Sequence, residues 1–227
     1  MSIGCKIVLN FPRPARTLVE QFQNIPVANL DDCMGRTAAV RAEIVPMGKP
    51  KLLGPAFTVK VPEGDNLMFH KAMDLAKPGD VIVIDAGGSI QRSIFGELMA
   101  HYCKLRGIAG IAVDGSIRDC AEIAAMDFPV YARGVTPNGP YKNGPGEIGT
   151  VISFGGRTVH PGDIVVADSD GLLFVRPDEA EELLKAANAV MEKEAKIMKT
   201  QLENGTYIRP WVDEKLKEIG CEIIDQA

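Results

Sequence analysis

Gly107-Ile-Ala-Gly-Ile-Ala-Val-Asp-Gly115, followed at once by Ser116-Ile-Arg-Asp119, decides how this chain is read. The run is apolar, of strand length and ends in glycine, which predicts a short buried strand closed by a turn. Arg118 and Asp119 then fall where the carboxyl end of that strand hands over to a helix, the place where open α/β sheets bind ligands. Glu97 precedes the pair with twenty residues between them, and Gly96 stands beside it. These three side chains offer a candidate base, an anion clamp and a metal ligand.

Working outward, the same alternation of strand, turn and helix recurs. Residues 15–36 carry Leu18, Phe22, Ile25 and Leu30 on partly helical spacing with a break at Pro26, and Gly54-Pro-Ala-Phe-Thr-Val-Lys-Val61 alternates as a strand. A helix is expected from Asp65 to the stop at Lys77-Pro-Gly-Asp80, then a buried strand at Val81-Ile-Val-Ile-Asp-Ala86, then a helix from near Phe95. Such units imply βαβ connections and an α/β fold. Beyond Pro129 the runs at 130–132, 149–154, 163–167 and 172–175 are short and parted by Gly, Pro, Asn and Asp, which predicts a mainly antiparallel half. From Pro177 to about Asn204 the pattern is one long helix, with Pro177 and the acids Asp178, Glu179, Glu181 and Glu182 at its positive end. At ~40 Å it outreaches the ~17 Å radius of gyration expected of this chain, so it is expected to reach onto a neighbouring subunit, the alternative being a long helix lying across its own domain.

Composition narrows the function classes. The chain has 227 residues, is 46% hydrophobic and 24% charged, and carries a net charge of −5, without the clustered Lys and Arg of a nucleic-acid surface. No apolar run is long enough for a membrane span, and residues 1–9 do not read as a secretory signal, so a cytoplasmic protein is expected. Five scattered cysteines without a Cys-x-x-Cys pair fit neither a disulfide framework nor a zinc knuckle.

Three local patterns invite labels that their context refuses. Gly144-Pro-Gly-Glu-Ile-Gly149 spells a dinucleotide fingerprint but leads into a strand, so a glycine-rich loop is preferred. Asp168-Ser-Asp-Gly171 resembles a metal loop, yet flanking apolar runs make it a hairpin turn. His70, His101 and His160 are too far apart for a histidine zinc site, although His70 shares a helix face with Asn66. A helix beginning at Gly96-Glu-Leu-Met99 would leave the amides of Leu98 and Met99 open to a carboxylate, with a cation needed between that carboxylate and Glu97. As local patterns alone, Glu97, Arg118 and Asp119 remain compatible with a helix-start acid and a surface ion pair.

Gly96-Glu97, the twenty-residue interval, Arg118-Asp119 and Glu122 carry a resemblance when taken with Pro62-Glu-Gly-Asp-Asn66, Lys77-Pro-Gly-Asp-Val81, Phe128-Pro-Val130 and the run His160 to Gly171. Over residues 15–205 the chain resembles the family of the regulator of RNase E activity A. Within it, the likeness is to the metal-dependent 4-hydroxy-4-methyl-2-oxoglutarate / 4-carboxy-4-hydroxy-2-oxoadipate aldolases, class II pyruvate aldolases that also decarboxylate oxaloacetate. The resemblance implies an α/β fold: a layered α/β/β/α sandwich related to swivelling phosphohistidine-type domains, over residues 1–176, with residues 177–227 as a helical extension on a neighbouring subunit. It also implies a homotrimer or a dimer of trimers.

Carried over position by position, the resemblance implies that Asp119 holds Mg²⁺ or Mn²⁺ directly, with Glu97 and Glu194 reaching it through water, Glu194 from a neighbouring subunit. Arg118 and the amides of Leu98 and Met99 would take the negative charge of a small 2-oxo acid, and Asn66, His70 and Lys142 would meet its distal end. Glu97 stands where the family more often has Asp, Leu67 replaces an aromatic common in the aldolases, and Gly87-Gly-Ser-Ile-Gln-Arg92 departs from their loop. The competing class is a regulator that binds RNase E or another protein without catalysis. Those regulators tend to lack both the acid at Glu97 and the long C-terminal helix. A Schiff-base aldolase using Lys71 or Lys142 is a weaker enzymatic alternative.

Overall fold

In chain order the strands of the computed structural model, which describes residues 3–224, are β1 (Cys5–Ile7), β2 (Val45–Pro46), β3 (Leu52–Lys60), β4 (Val81–Asp85), β5 (Ser93–Phe95), β6 (Gly110–Ile117), β7 (Val130–Val135), β8 (Gly146–Ile148), β9 (Ile152–Phe154), β10 (Arg157–Val159), β11 (Ile164–Asp168) and β12 (Gly171–Val175). The helices are α1 (Arg16–Val19), α2 (Val27–Cys33), α3 (Leu67–Leu75), α4 (Glu97–Leu105), α5 (Cys120–Ala125), α6 (Ala180–Thr200) and α7 (Pro210–Glu218). Together they make a mixed α/β fold with a long C-terminal helix.

At its centre β3, β4, β6 and β7 run parallel, neighbour to neighbour. Val81 to Ile84 are fully buried, as expected of a parallel strand covered on both faces. Because side chains alternate across a strand, Ile82, Ile84, Ile111 and Val113 join one core with Phe69 of α3, Ala100 of α4 and Ile123 of α5. Val81, Val83 and Ala112 join the other, with Phe154, Val165, Leu172 and Phe174 of the later strands. Helices thus cover one face and the β9–β12 strands the other, while α2 packs on β11 and β12 from outside, giving an α/β/β/α layering. Gly110 is where β6 passes closest to its neighbours: a Cβ there would stand 2.4 Å from Leu52 Cδ1 and 2.8 Å from Pro129 O.

Several elements differ from the sequence reading. β6 continues through Asp114 and Gly115 to Ile117, with no turn before Arg118. The helix expected from near Phe95 begins at Glu97, and Ser93 to Phe95 before it form a strand the sequence reading did not foresee, β5, alongside the end of β6. β7 lies in the half expected to be antiparallel but pairs parallel with β6, whereas the β9–β10, β11–β12 and β11–β3 pairs are antiparallel. The glycine-rich segment contains β8, which zips between β1 and β3.

The hairpin at Asp168 stands: Asp168 pairs with Gly171 across the two residues Ser169 and Asp170. Its Oδ1 accepts from Asp170 N–H and its Oδ2 from Val27 N–H, both at 2.9 Å, so the carboxylate braces the turn and caps α2. The C-terminal helix is shorter than the pattern suggests, 21 residues or ~31 Å, and α7 follows it unannounced. The chain divides into two compact units after Ala187. The first holds every strand and α1 to α5; the second holds the rest of α6, a 3-10 turn at Leu202–Asn204, and α7.

Candidate active site

The start of α4 reaches Arg118-Asp119 because β5 pairs with the last residues of β6, Phe95 opposite Ile117. Arg118 N–H donates to Phe95 O at 3.0 Å and locks the two ends together. Gly96 then lies against Asp119 so closely that a Cβ on it would fall 2.1 Å from Asp119 Oδ2 and 2.9 Å from Arg118 Cγ. Gly96 has no side chain with which to accept an amide of the helix it precedes, and Asp119 supplies the acceptor instead, its Oδ2 taking Glu97 N–H at 3.0 Å. The same oxygen is 3.6 Å from Arg118 Nε, while Asp119 Oδ1 meets no partner among the described residues. Asp119 itself adopts a left-handed backbone, φ 55° and ψ 43°. Aspartate tolerates that region better than most residues; here it turns the chain from β6 into α5 while presenting the carboxylate to α4.

A cavity of about 710 Å³ opens at this junction, lined by Asn66, His70, Phe95, Gly96, Glu97, Leu98, Met99, Arg118, Asp119, Glu122, Gly139, Pro140 and Lys142. Eight of the nine residues singled out from the sequence therefore share one cavity. The ninth, Glu194, lies exposed on α6 in the second unit and is not part of this lining. Glu122 and the loop residues Gly139 and Pro140 had no assigned role, although Glu122, three positions after Asp119 on a helix, had a readable signal in that spacing.

Polar groups in the cavity are incompletely satisfied by the protein. Asn66 donates through Nδ2 to Ile94 O at 2.8 Å, while its buried Oδ1, like the buried His70 Nε2, has no partner among the described residues. Burial, and then the Lys142 cation, pull the His70 pKa below its ordinary value against a weaker upward pull from Asp74. Glu97 Oε1 lies 3.5 Å from His101 Nε2 one turn along α4.

Among the described residues no three His, Cys, Asp or Glu side chains are grouped to hold a metal. A hard cation that keeps most of its waters needs fewer protein ligands, and Asp119 Oδ1 offers such an ion one open carboxylate oxygen. The lining charges add a second reason for fit. Two cations, Arg118 and Lys142, face three carboxylates, Glu97, Asp119 and Glu122, so a formal −1 would repel an anionic acid until a divalent ion reverses it.

A strand-end acid and arginine and the first residues of a helix thus line one polar cavity on a layered α/β fold. The RraA-like family model (Aldolase/RraA) matches residues 24–174, and the chain belongs to that family. A Halalkalibacterium halodurans protein provisionally named 4-hydroxy-4-methyl-2-oxoglutarate aldolase is 36% identical over 199 residues, 87% of this chain and 95% of that protein. RraAS2 of Streptomyces coelicolor, described as an unusual member of the RNase ES inhibitor RraA family, superposes with a TM-score of 0.72 at 28% identity over 82% of this chain and 100% of its own. The Thermus thermophilis RraA structure, described as an RNA-processing inhibitor, gives 0.61 at 28% identity over 66% and 92%. No helix among the described residues is long and apolar enough to cross a membrane.

Proposed function

We propose that this chain is a divalent-metal-dependent class II aldolase. It would cleave 4-hydroxy-4-methyl-2-oxoglutarate or 4-carboxy-4-hydroxy-2-oxoadipate to pyruvate and a second 2-oxo acid, and also decarboxylate oxaloacetate. The observation that carries this reading is the convergence on one cavity of Arg118, Asp119 and the first-turn residues Leu98 and Met99 of α4, whose amides have no acceptor within the helix. The aldolase name of the 36% identical relative supports it.

Asp119 would hold Mg²⁺ or Mn²⁺ directly, with Glu97 and a neighbouring subunit's Glu194 reaching it through water, and the ion would supply a Lewis acid. Arg118 pairs with the substrate's anionic end. As the C3–C4 bond breaks, its electron pair moves toward the 2-oxo oxygen, and Arg118 with the α4 amides meets the charge arriving there. Glu97 takes the proton of the 4-hydroxyl through a water, the carbonyl forms at C4, and the proton returned to C3 completes pyruvate. In oxaloacetate the leaving group is CO₂ and only the return of a proton is needed. Asn66, His70 and Lys142 bind the distal end. This reading has the protein working in the cytoplasm as a homotrimer or dimer of trimers.

Pyruvate release from oxaloacetate and from 4-hydroxy-4-methyl-2-oxoglutarate, with Mg²⁺ or Mn²⁺ and again with EDTA, tests it. Metal-dependent turnover of both is expected, and turnover unaffected by EDTA with trapping by borohydride would transfer the chemistry to a Schiff base on Lys71 or Lys142. The inhibitor descriptions of two structural relatives favour a second reading, a non-catalytic regulator binding RNase E or another protein. No turnover together with inhibition of RNase E would establish that reading in place of the first.

A further inference from the structure

The cavity wall carrying Asn66, His70 and Lys142 is assembled from two segments far apart in sequence, and one carboxylate outside the cavity joins them. Asp65 is 4% exposed. Its Oδ1 accepts from Leu67 N–H at 2.9 Å, closing the first turn of α3, and its Oδ2 accepts from Asn143 N–H at 2.6 Å and Gly144 N–H at 3.1 Å. All three partners are backbone amides, so this buried charge is neutralised by oriented dipoles, an arrangement that fixes geometry as well as energy. Two backbone bonds run beside it, Tyr141 N–H to Gly64 O at 2.8 Å and Asn66 N–H to Tyr141 O at 3.0 Å. From the other side Arg92 stacks on the Tyr141 ring at 4.2 Å, donates to Tyr141 Oη at 2.8 Å and to Gly139 O at 2.9 Å.

We infer that Asp65 is a positioning residue: by clamping residues 141–144 to the start of α3 it sets where the Lys142 ammonium stands against His70, and so determines recognition of an anionic distal group on the substrate. The substrate part of this inference rests on the aldolase reading above; the geometric part does not. Lys142 is the only cation on this wall among the described residues, and its side chain is exposed, so its position depends on the backbone beneath it. Asp65→Asn keeps the size of the side chain but replaces one acceptor oxygen with an N–H₂ that faces amide donors, which opens at least one of the three bonds.

The test reads His70 directly, by following its ring resonances through a pH titration of the full chain without substrate or metal. Lys142 lowers the His70 pKa and Asp74 raises it, so Lys142→Met is expected to shift the titration upward. Asp65→Asn, with its circular dichroism retained, is expected to shift it the same way as the loop carries the charge off. A His70 titration unmoved in Asp65→Asn but moved in Lys142→Met would overturn the inference; one unmoved in both would overturn it as well. Should Asp65→Asn fail to fold, amide exchange in the unaltered protein decides: Asn143 and Gly144 are expected to be protected, and exchange at open-loop rates would sink the clamp. In kinetics, Asp65→Asn is expected to raise KM for 4-hydroxy-4-methyl-2-oxoglutarate about tenfold, the scale of one displaced charged contact, with kcat nearly kept. An unaltered KM would remove the specificity role. If the unaltered protein turns over no substrate at all, the aldolase reading fails while the titration and exchange results still decide the clamp.

Discussion

Two helices of this chain begin without a capping side chain of their own, and each is capped by an aspartate from elsewhere in the sequence. Pro26 precedes α2 and Asp168 supplies the acceptor; Gly96 precedes α4 and Asp119 supplies it. The difference lies in the second oxygen. In Asp168 it is used, by the amide of Asp170 in the β11–β12 hairpin. In Asp119 it is open and the residue lines a cavity beside an arginine. A carboxylate with both oxygens committed to the backbone is a fastener; one with an oxygen to spare is held rigid by the fold and left available to a ligand.

The sharpest way to break this contrast is to remove each acid in turn. Asp119→Ala is expected to lower kcat/KM for oxaloacetate by at least about a hundredfold, because it removes the ligand of the cation that would stabilise the developing charge. Asp168→Ala is expected to leave that rate near its starting value. Equal losses in both would erase the distinction. Gly96→Ala comes next: it removes no charged group but puts a methyl against Asp119 Oδ2. Activity is expected to fall by about tenfold or more as the acid is pushed off the helix start, since a displacement of about 1 Å in a catalytic group is costly. A fully active Gly96→Ala would show that the close approach is not needed.

Stability should rank the two acids the other way. Asp168→Ala frees the amides of Val27 and Asp170 and is expected to cost about 1 kcal/mol, read as a melting temperature lower by about 2–4 °C. Asp119→Asn, which retains an acceptor for Glu97 N–H, is expected to melt close to the unaltered protein. A larger drop in Asp119→Asn than in Asp168→Ala would reverse the assignment of fastener and ligand.

How much of this was legible follows from the range of each interaction. β4 and β6 announced themselves because a strand buried on both faces is an unbroken apolar run, and the Asp168 hairpin because Asp-Gly sits between two such runs. Glu97, Arg118 and Asp119 are legible through a spacing that places charge at a strand end, whereas Lys142 and the distal role of Asn66 and His70 come only from the family resemblance. β5 and β8, three residues each, are too short to show a period, and both exist only through partners far away in sequence. The end of β6 was misjudged because Gly115 mimics a turn, whereas here it continues the strand. The Asp65 clamp was half visible: an acid before an apolar helix is a start signal, but nothing local says that its other oxygen holds residues 143 and 144. Long-range carboxylate-to-amide bonds leave no pattern in a single sequence.

The smallest effect concerns the wall that Asp65 builds, and it sharpens the contrast by adding a group that is strained by its surroundings instead of satisfied by them. His70 is held below its ordinary pKa by burial first and Lys142 second, so the unfolded chain takes up a proton more readily than the folded one. The sign follows: stability tied to His70 is fully present above the unfolded value of ~6.5 and is lost as pH falls from there toward the lower folded value. Urea midpoints measured between pH 7.5 and 5.5 are expected to decline more steeply for the unaltered protein than for His70→Gln, which carries no such proton. In Lys142→Met the decline should become shallower, because the cation that helps depress His70 is gone while burial remains. Parallel declines in all three proteins would mean that His70 titrates alike folded and unfolded, and that Lys142 stands too far away, or too well screened, to help define the distal end of the cavity.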